Sequence, residues 1–318
     1  MQTPFEIDER WILAQRGAKN PVSAQRAYHT LVEDERTASG TVEPVATLFL
    51  TNSECPFRCL MCDLWQNTLT GPTPAGAIPA QIAAALRELP PAQHIKLYNS
   101  GNFFDRKAIP PQDLPAIAEL VRPFKTVIVE NHPLLTDERC LEFAGLLNGQ
   151  LEVAIGLETV HPQIFPLLNK RCTLADFRRA VAFLVNNGVR VRTFILLPPP
   201  FLELNDGVLW AQRSIDFAFD CGVDCCAIIP TRTGNGALDA LQKSGAFTRP
   251  DVRALEQVTE YGIRRGHGRV FVDLWDLEDF STCSACFPAR AARLLRMNLQ
   301  QSIPEPVACD FCDPANHR

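Results

Sequence analysis

Apolar runs of five to nine residues, rich in β-branched side chains, recur along most of the chain, each followed by an amphipathic stretch. The runs at 45–51, 94–98, 126–130, 152–157, 189–197, 224–229 and 269–274 predict strands. Between them Ile82, Leu86 and Leu89 mark one helix face, Leu114, Ile117, Ala118 and Val121 a second, and Leu141, Ala144 and Leu147 a third. A fourth helix opens on Thr173 with Asp176 three residues later, a capping-box variant. Phe177, Val181, Leu184 and Val185 repeat along its face, and Gly188 suits the left-handed position that ends it. Segments 215–219 and 252–261 supply two more. Strands that are apolar on both faces and alternate with helices belong to a parallel sheet covered by helices. The expected fold is therefore α/β, a full or partial (β/α) barrel, with a doubly wound open sheet as the alternative. Three regions are expected: an N-terminal helical arm at 1–44, the barrel at 45–275, and a cysteine-bearing tail at 276–318.

Composition removes several function classes. The 318 residues carry 31 Lys+Arg and 36 Asp+Glu, a net charge of −5, with 46% hydrophobic and 21% charged residues. That balance excludes a disordered chain, a collagen repeat or a coiled coil. It supplies no global positive field for nucleic acid or an anionic membrane. No apolar run approaches the roughly 20 residues that span a bilayer. The first ten residues are polar and acidic, with no signal-peptide core. A cytoplasmic protein without membrane contact is expected.

The twelve cysteines are unusual in such a chain, because a reducing compartment favours metal or redox use over cross-links. They fall into two groups. Cys55, Cys59 and Cys62 form C-x3-C-x2-C just after the first strand; Cys283, Cys286, Cys309 and Cys312 form two C-x2-C knuckles separated by twenty-two residues. In parallel β/α folds the site lies at the C-terminal ends of the strands, and the first group sits on such a loop. Three thiolates do not close the usual tetrahedral site of zinc. They suit a [4Fe-4S] cubane, in which they hold three irons and leave the fourth open to another ligand. The four tail thiols can close a tetrahedron round zinc; a second iron–sulfur cluster is the rival. Between the knuckles Arg290, Arg293 and Arg296 mark a basic helix face, solvated or facing phosphates.

From about 45 to 275 the chain resembles the radical S-adenosylmethionine (SAM) superfamily, whose signature is the three-cysteine loop after the first strand. The resemblance implies a partial barrel of the radical SAM type. The open iron would bind the amino and carboxylate groups of SAM, and the reduced cluster would cleave SAM to methionine and a 5′-deoxyadenosyl radical that takes hydrogen from substrate. Met61 stands where an aromatic residue often touches the adenine. Ser100-Gly101-Asn102 stands where Gly-Gly-Glu is usual, so the SAM amino group meets an amide rather than a carboxylate. Glu158 matches a contact to the SAM ribose or methionine. Arg58, if close to the cluster, would oppose the effect of burial on its potential.

Tyr98 to Asp105 and Gly156-Leu157-Glu158-Thr159 are similar to segments of the archaeosine synthase radical SAM subunit-like group; the elongator catalytic subunit-like proteins are more distant. This implies a modified nucleoside in transfer RNA as substrate, with a peptide or small metabolite as the alternative. A non-catalytic iron–sulfur or zinc electron carrier is the rival from another class. Asn131, Arg192, Thr231 and Arg232 are the expected substrate residues. Gly234-Asn235-Gly236 offers backbone amides to the adenine or an anion, and Cys172 lies in a segment that can approach the site. A reductant such as a ferredoxin or flavodoxin is implied, with tRNA or a partner subunit as further partners.

Overall fold

Eight strands form one sheet: β1 (His29–Arg36), β2 (Val42–Leu50), β3 (His94–Asn99), β4 (Thr126–Asn131), β5 (Gln150–Glu158), β6 (Arg190–Leu197), β7 (Cys225–Pro230) and β8 (Arg269–Val272). They are seen in a computed structural model that describes residues 6–312. The strands lie side by side in chain order. β1 runs antiparallel to β2, and every later neighbour is parallel. A doubly wound sheet needs a reversal of strand order. None occurs here, so the sheet is singly wound into a partial barrel with its helices on the outside.

Alternation along the strands sorts the two faces. Leu48, Leu50, Ile95, Leu97, Val127, Val129, Val153, Ile155, Cys226 and Ile228 point outward into one apolar cluster with Ile82, Ile117, Phe143, Val181, Leu184, Ile215 and Leu255 of the helices. The capping box at Thr173 and Asp176 starts the helix Leu174–Asn186 as expected. The inward face is polar at its base. There Lys96, Glu35, Arg192, Glu152 and Arg269 alternate in charge across five strands, with ion-pair distances of 2.6, 2.6, 2.7 and 2.8 Å in that order.

This chain of charges corrects two expectations. Arg192, expected at the substrate, lies near the start of β6, at the opposite end of the strand from the loops that carry the cysteines. Its guanidinium, only 3% exposed, is spent on Glu35 and Glu152. The expected N-terminal arm is helical only over Glu9–Ala14; its second half is β1, and the boundary expected at 44/45 cuts through β2. Glu35 inside the barrel and Glu33 at an exposed position both pair with Lys96, so the strand lacks the apolar alternation that marks the others. Residues 1–5 of the arm and 313–318 of the tail lie outside the described residues.

The far edge is closed by side chains. The final helix, Phe287–Gln300, lies along β8. Asn298 accepts from the Val272 N–H at 2.9 Å and donates to its carbonyl at 2.8 Å; Gln301 does the same at Val270, at 2.7 and 2.8 Å. Two amides thus take the place of a neighbouring strand.

Removing one member of a buried ionic chain leaves its partners charged and unpaired. Arg192→Met is expected to cost about 3–5 kcal/mol, read by urea unfolding at pH 7. A loss under about 1 kcal/mol, the range of surface pairs, would return Arg192 to the substrate candidates.

Candidate metal and cofactor site

The loop after β2 is irregular because Pro56 and its neighbours are tied to other elements rather than to a helix of their own. The Leu60 N–H donates to the Leu168 carbonyl at 2.9 Å, and Asn169 donates to the Arg58 carbonyl at 2.7 Å. Asn235, buried after β7, donates to the carbonyls of Leu60 at 2.8 Å and Cys62 at 3.3 Å. The Phe57 ring stacks on His132, with centroids 3.7 Å apart. The segments after β4, β5 and β7 therefore shape the loop that presents Cys55, Cys59 and Cys62.

Burial dominates the three thiols. It pushes Cys59 up to about 12 and Cys62 well above its ordinary value. Cys55 is also raised by burial, though two donors oppose it: the Phe57 N–H at 3.4 Å and the Asn102 amide at 3.2 Å. Neutral thiols in such a place become thiolates only when a metal replaces their protons. The donor set fits an iron–sulfur cluster: soft ligands, N–H groups aimed at sulfur, and little water. Arg58 lies close enough for its charge to favour the Cys55 thiolate. Its guanidinium turns back to the Cys55 and Phe57 carbonyls and to Glu54, which Arg16 and Lys19 also hold.

The loop after β3 lies directly against the cysteines. A Cβ on Gly101 would stand 3.4 Å from that of Cys55, so the backbone makes a close approach. The Ser100 N–H donates to Asn52, and its hydroxyl reaches Tyr28 at 3.4 Å. Glu158 ends β5 at φ 68° and is paired with Lys170 at 2.9 Å, both buried. A Cβ on Gly156 would meet the Glu158 carboxylate at 2.0 Å, so glycine is required there. Asn169 and Arg171, on either side of Lys170, also take positive φ, at 50° and 61°. Three strained residues round one ion pair beside Cys59 mark a place where geometry is held against local preference.

No family model matches the chain. Archaeosine synthase subunit beta of Methanosarcina acetivorans is 30% identical over 201 residues, 60% of this chain and 58% of that one. The protein of that name from Thermococcus kodakarensis is 33% identical over 127 residues, 38% and 39% of the two chains. The matches thus span between 39% and 58% of these relatives' lengths. Methylornithine synthase superposes with a TM-score of 0.50 at 14% identity, over 70% of this chain and 64% of that structure. The barrel shares its fold with that enzyme.

Within the barrel the other expected residues divide. Met61 is half-buried on an apolar cluster with Ile12, Leu60 and Leu238. Thr231 follows β7 with a buried hydroxyl that has no partner among the described residues. Arg232 is held by Asp273 at 2.8 Å and by the carbonyls of Pro230 and Trp275. Asn131 is spent on its surroundings, accepting from the Phe104 N–H at 3.4 Å and donating to Thr136 at 3.2 Å. The amides of Gly234 and Gly236, expected to be open to an anion, both donate to Asp239. Cys172 lies beside Lys170 and Glu158, within electrostatic reach of Cys59.

Sequence reasoning missed Lys170, His132 and Glu130. His132 is neutral, its pKa lowered to about 3 by burial and the nearby Lys170; it accepts from the Leu134 N–H and donates to the Lys170 carbonyl at 2.9 Å. Glu130 ends β4 facing the barrel, and among the described residues it has no side-chain partner. Desolvation raises it to about 8, opposed only by the Asn99 N–H. A signal existed in Glu130-Asn131-His132 at a strand end, but nothing in the sequence distinguished one polar residue there from the next.

The four tail sulfurs lie within 4.8 Å of one another, with Cys283–Cys309 at 3.9 Å and Cys286–Cys312 at 3.4 Å. The loop trio forms no such convergent group. Arg290 donates to the Cys286 sulfur at 3.3 Å and also pairs with Glu256. Arg293, 1% exposed, pairs with Glu260 at 2.8 Å and donates to the Pro304 carbonyl. The expected basic face is thus corrected: of its three arginines, only Arg296 is exposed. No helix among the described residues is long and apolar enough to cross a membrane.

Glu130 makes a pH prediction. Its folded pKa of about 8 lies above the ordinary 4.5, so the folded state holds the proton more tightly. Its contribution is fully present below pH 4.5 and is lost as pH rises through 8. Glu130→Gln should remove that slope, leaving the variant more stable than the parent at pH 9 and similar at pH 4.5. Urea unfolding at the two pH values measures it; equal slopes would place Glu130 in water.

Proposed function

We propose that the protein is a radical SAM enzyme acting on a modified nucleoside in transfer RNA. The single observation that carries the radical SAM reading is the trio Cys55, Cys59 and Cys62. It is half-buried just after the first parallel strand and flanked by the Gly101 backbone. These cysteines would hold a [4Fe-4S] cluster, and Ser100, Gly101, Asn102, Met61 and Glu158 lie in the places that would border SAM. When bound, the pair supplies one-electron cleavage of SAM and hence hydrogen abstraction from substrate. The chain's own residues donate hydrogen bonds to Cys55 and hold Glu158 in place through Lys170. Fewer charges near sulfur and less water make a cluster a stronger reductant.

The names of the two relatives support the tRNA substrate and a partner subunit, the second because both are called a subunit. A ferredoxin or flavodoxin would bring the electron. For the tail we propose one tetrahedral ion of the zinc class. Metal–sulfur bonds of about 2.3 Å place tetrahedral sulfurs roughly 3.8 Å apart, and the observed 3.4 and 3.9 Å bracket that edge.

Anaerobic reconstitution with iron and sulfide, then dithionite and SAM, should yield 5′-deoxyadenosine. Its absence would leave an electron carrier or scaffold. Cys59→Ala should lose the brown absorbance and the 5′-deoxyadenosine, yet keep about one zinc per chain by metal analysis; a variant that keeps the cluster refutes the ligand set. Deleting the gene should change the mass of a tRNA nucleoside. If only a peptide or small-molecule pool changes, the tRNA substrate is wrong.

A further inference from the structure

The Ser100-Gly101-Asn102 turn departs from Gly-Gly-Glu by lacking a carboxylate, and the structure indicates what stands in its place. Asn102 is occupied, its amide donating to the Cys55 sulfur at 3.2 Å. Glu158 is occupied by Lys170 at 2.9 Å. Glu54 is shared by Arg16, Lys19 and Arg58. Glu130, one strand further on, has no such partner among the described residues. Its backbone adjoins the same turn, because its carbonyl accepts from the Phe103 N–H at 2.8 Å. Two hydroxyls lie at this rim. Tyr28 bonds Ser100 at 3.4 Å, and its titration is raised to about 12 by burial and by charges that include Glu130 and Cys62.

The surroundings select the kind of ligand. Tyr28, Phe49 and Tyr98 form a run of rings, with centroids 5.7 and 6.1 Å apart along it. Aromatic faces beside a carboxylate that no cation holds favour a cation over an anion or a neutral group. A carboxyl with no cation stays protonated in such a place, as its raised pKa requires.

Resting on the reading of this site as a SAM site, we propose that Glu130 receives a primary ammonium group at the barrel mouth, that of SAM or that of the substrate. It replaces the carboxylate that the turn after β3 lacks, while Asn102 is released to serve the sulfur of Cys55.

The test is calorimetric binding to the full chain, reconstituted anaerobically, for the parent and Glu130→Gln. The probes are SAM, 5′-methylthioadenosine (which has no amino group) and n-hexylamine added with SAM present. Losing a charged hydrogen bond weakens binding by roughly tenfold to a hundredfold. If the ammonium is that of SAM, Glu130→Gln binds SAM that much more weakly and 5′-methylthioadenosine unchanged. If it is the substrate's, SAM holds and n-hexylamine binding is lost. All three affinities unchanged within about twofold, well under one charged hydrogen bond, overturn the proposal. A parent that binds neither adenosyl compound overturns the SAM reading instead, and n-hexylamine then decides for Glu130 alone. Should Glu130→Gln fail to fold, Glu130→Asp, one methylene shorter with its charge kept, carries the test, and weakened binding of SAM or n-hexylamine with 5′-methylthioadenosine intact is the supporting result.

Discussion

Charge placed inside the barrel must be answered, and the structure answers it differently at its two ends. At the base, five ionised groups in alternating sign cross from β3 through β1, β6 and β5 to β8. Each satisfies its neighbours, so nothing is left over for chemistry. At the mouth the balance is incomplete: burial raises the three thiols in spite of the nearby Arg58 and Lys170, and it raises the Glu130 carboxyl too. An incomplete balance is what a metal cluster and a charged ligand can complete.

The strands show how much of the fold was legible. The seven parallel ones appear in the sequence within a few residues because their outward side chains enter one apolar cluster. β1 was not legible. Its inward carboxylates are compensated by Lys96 and Arg192, which lie far away in the chain, and single-chain periodicity carries no information about distant partners. Sequential order could not be read either, since a barrel and a doubly wound sheet share the same alternation.

The site divides along the same line. The three thiols were legible because their spacing and position after a strand are local facts. Lys170 was not, because its role comes from Glu158 folding back over Gly156, a backbone event at φ 68°. Arg290 and Arg293 were misread for a related reason: a triplet spacing reports a helix face but not what that face meets, and here Glu256 and Glu260 of the preceding helix meet it. Asn235 shows the reverse. Its flanking glycines drew attention as anion donors, while its own amide ties down the cysteine loop.

Asn298 and Gln301 carry a consequence for the whole molecule. Each presents one donor and one acceptor to a single residue of β8, imitating the peptide units of a ninth strand in side chains alone. Imitation of this kind satisfies the rim without extending it, since an amide side chain offers no second row of groups for another molecule to join. A chain shortened to end before Phe287 would present Val270 and Val272 to its neighbours as an open template, and its copies would recruit one another rather than remain separate. The tail thus insulates the sheet.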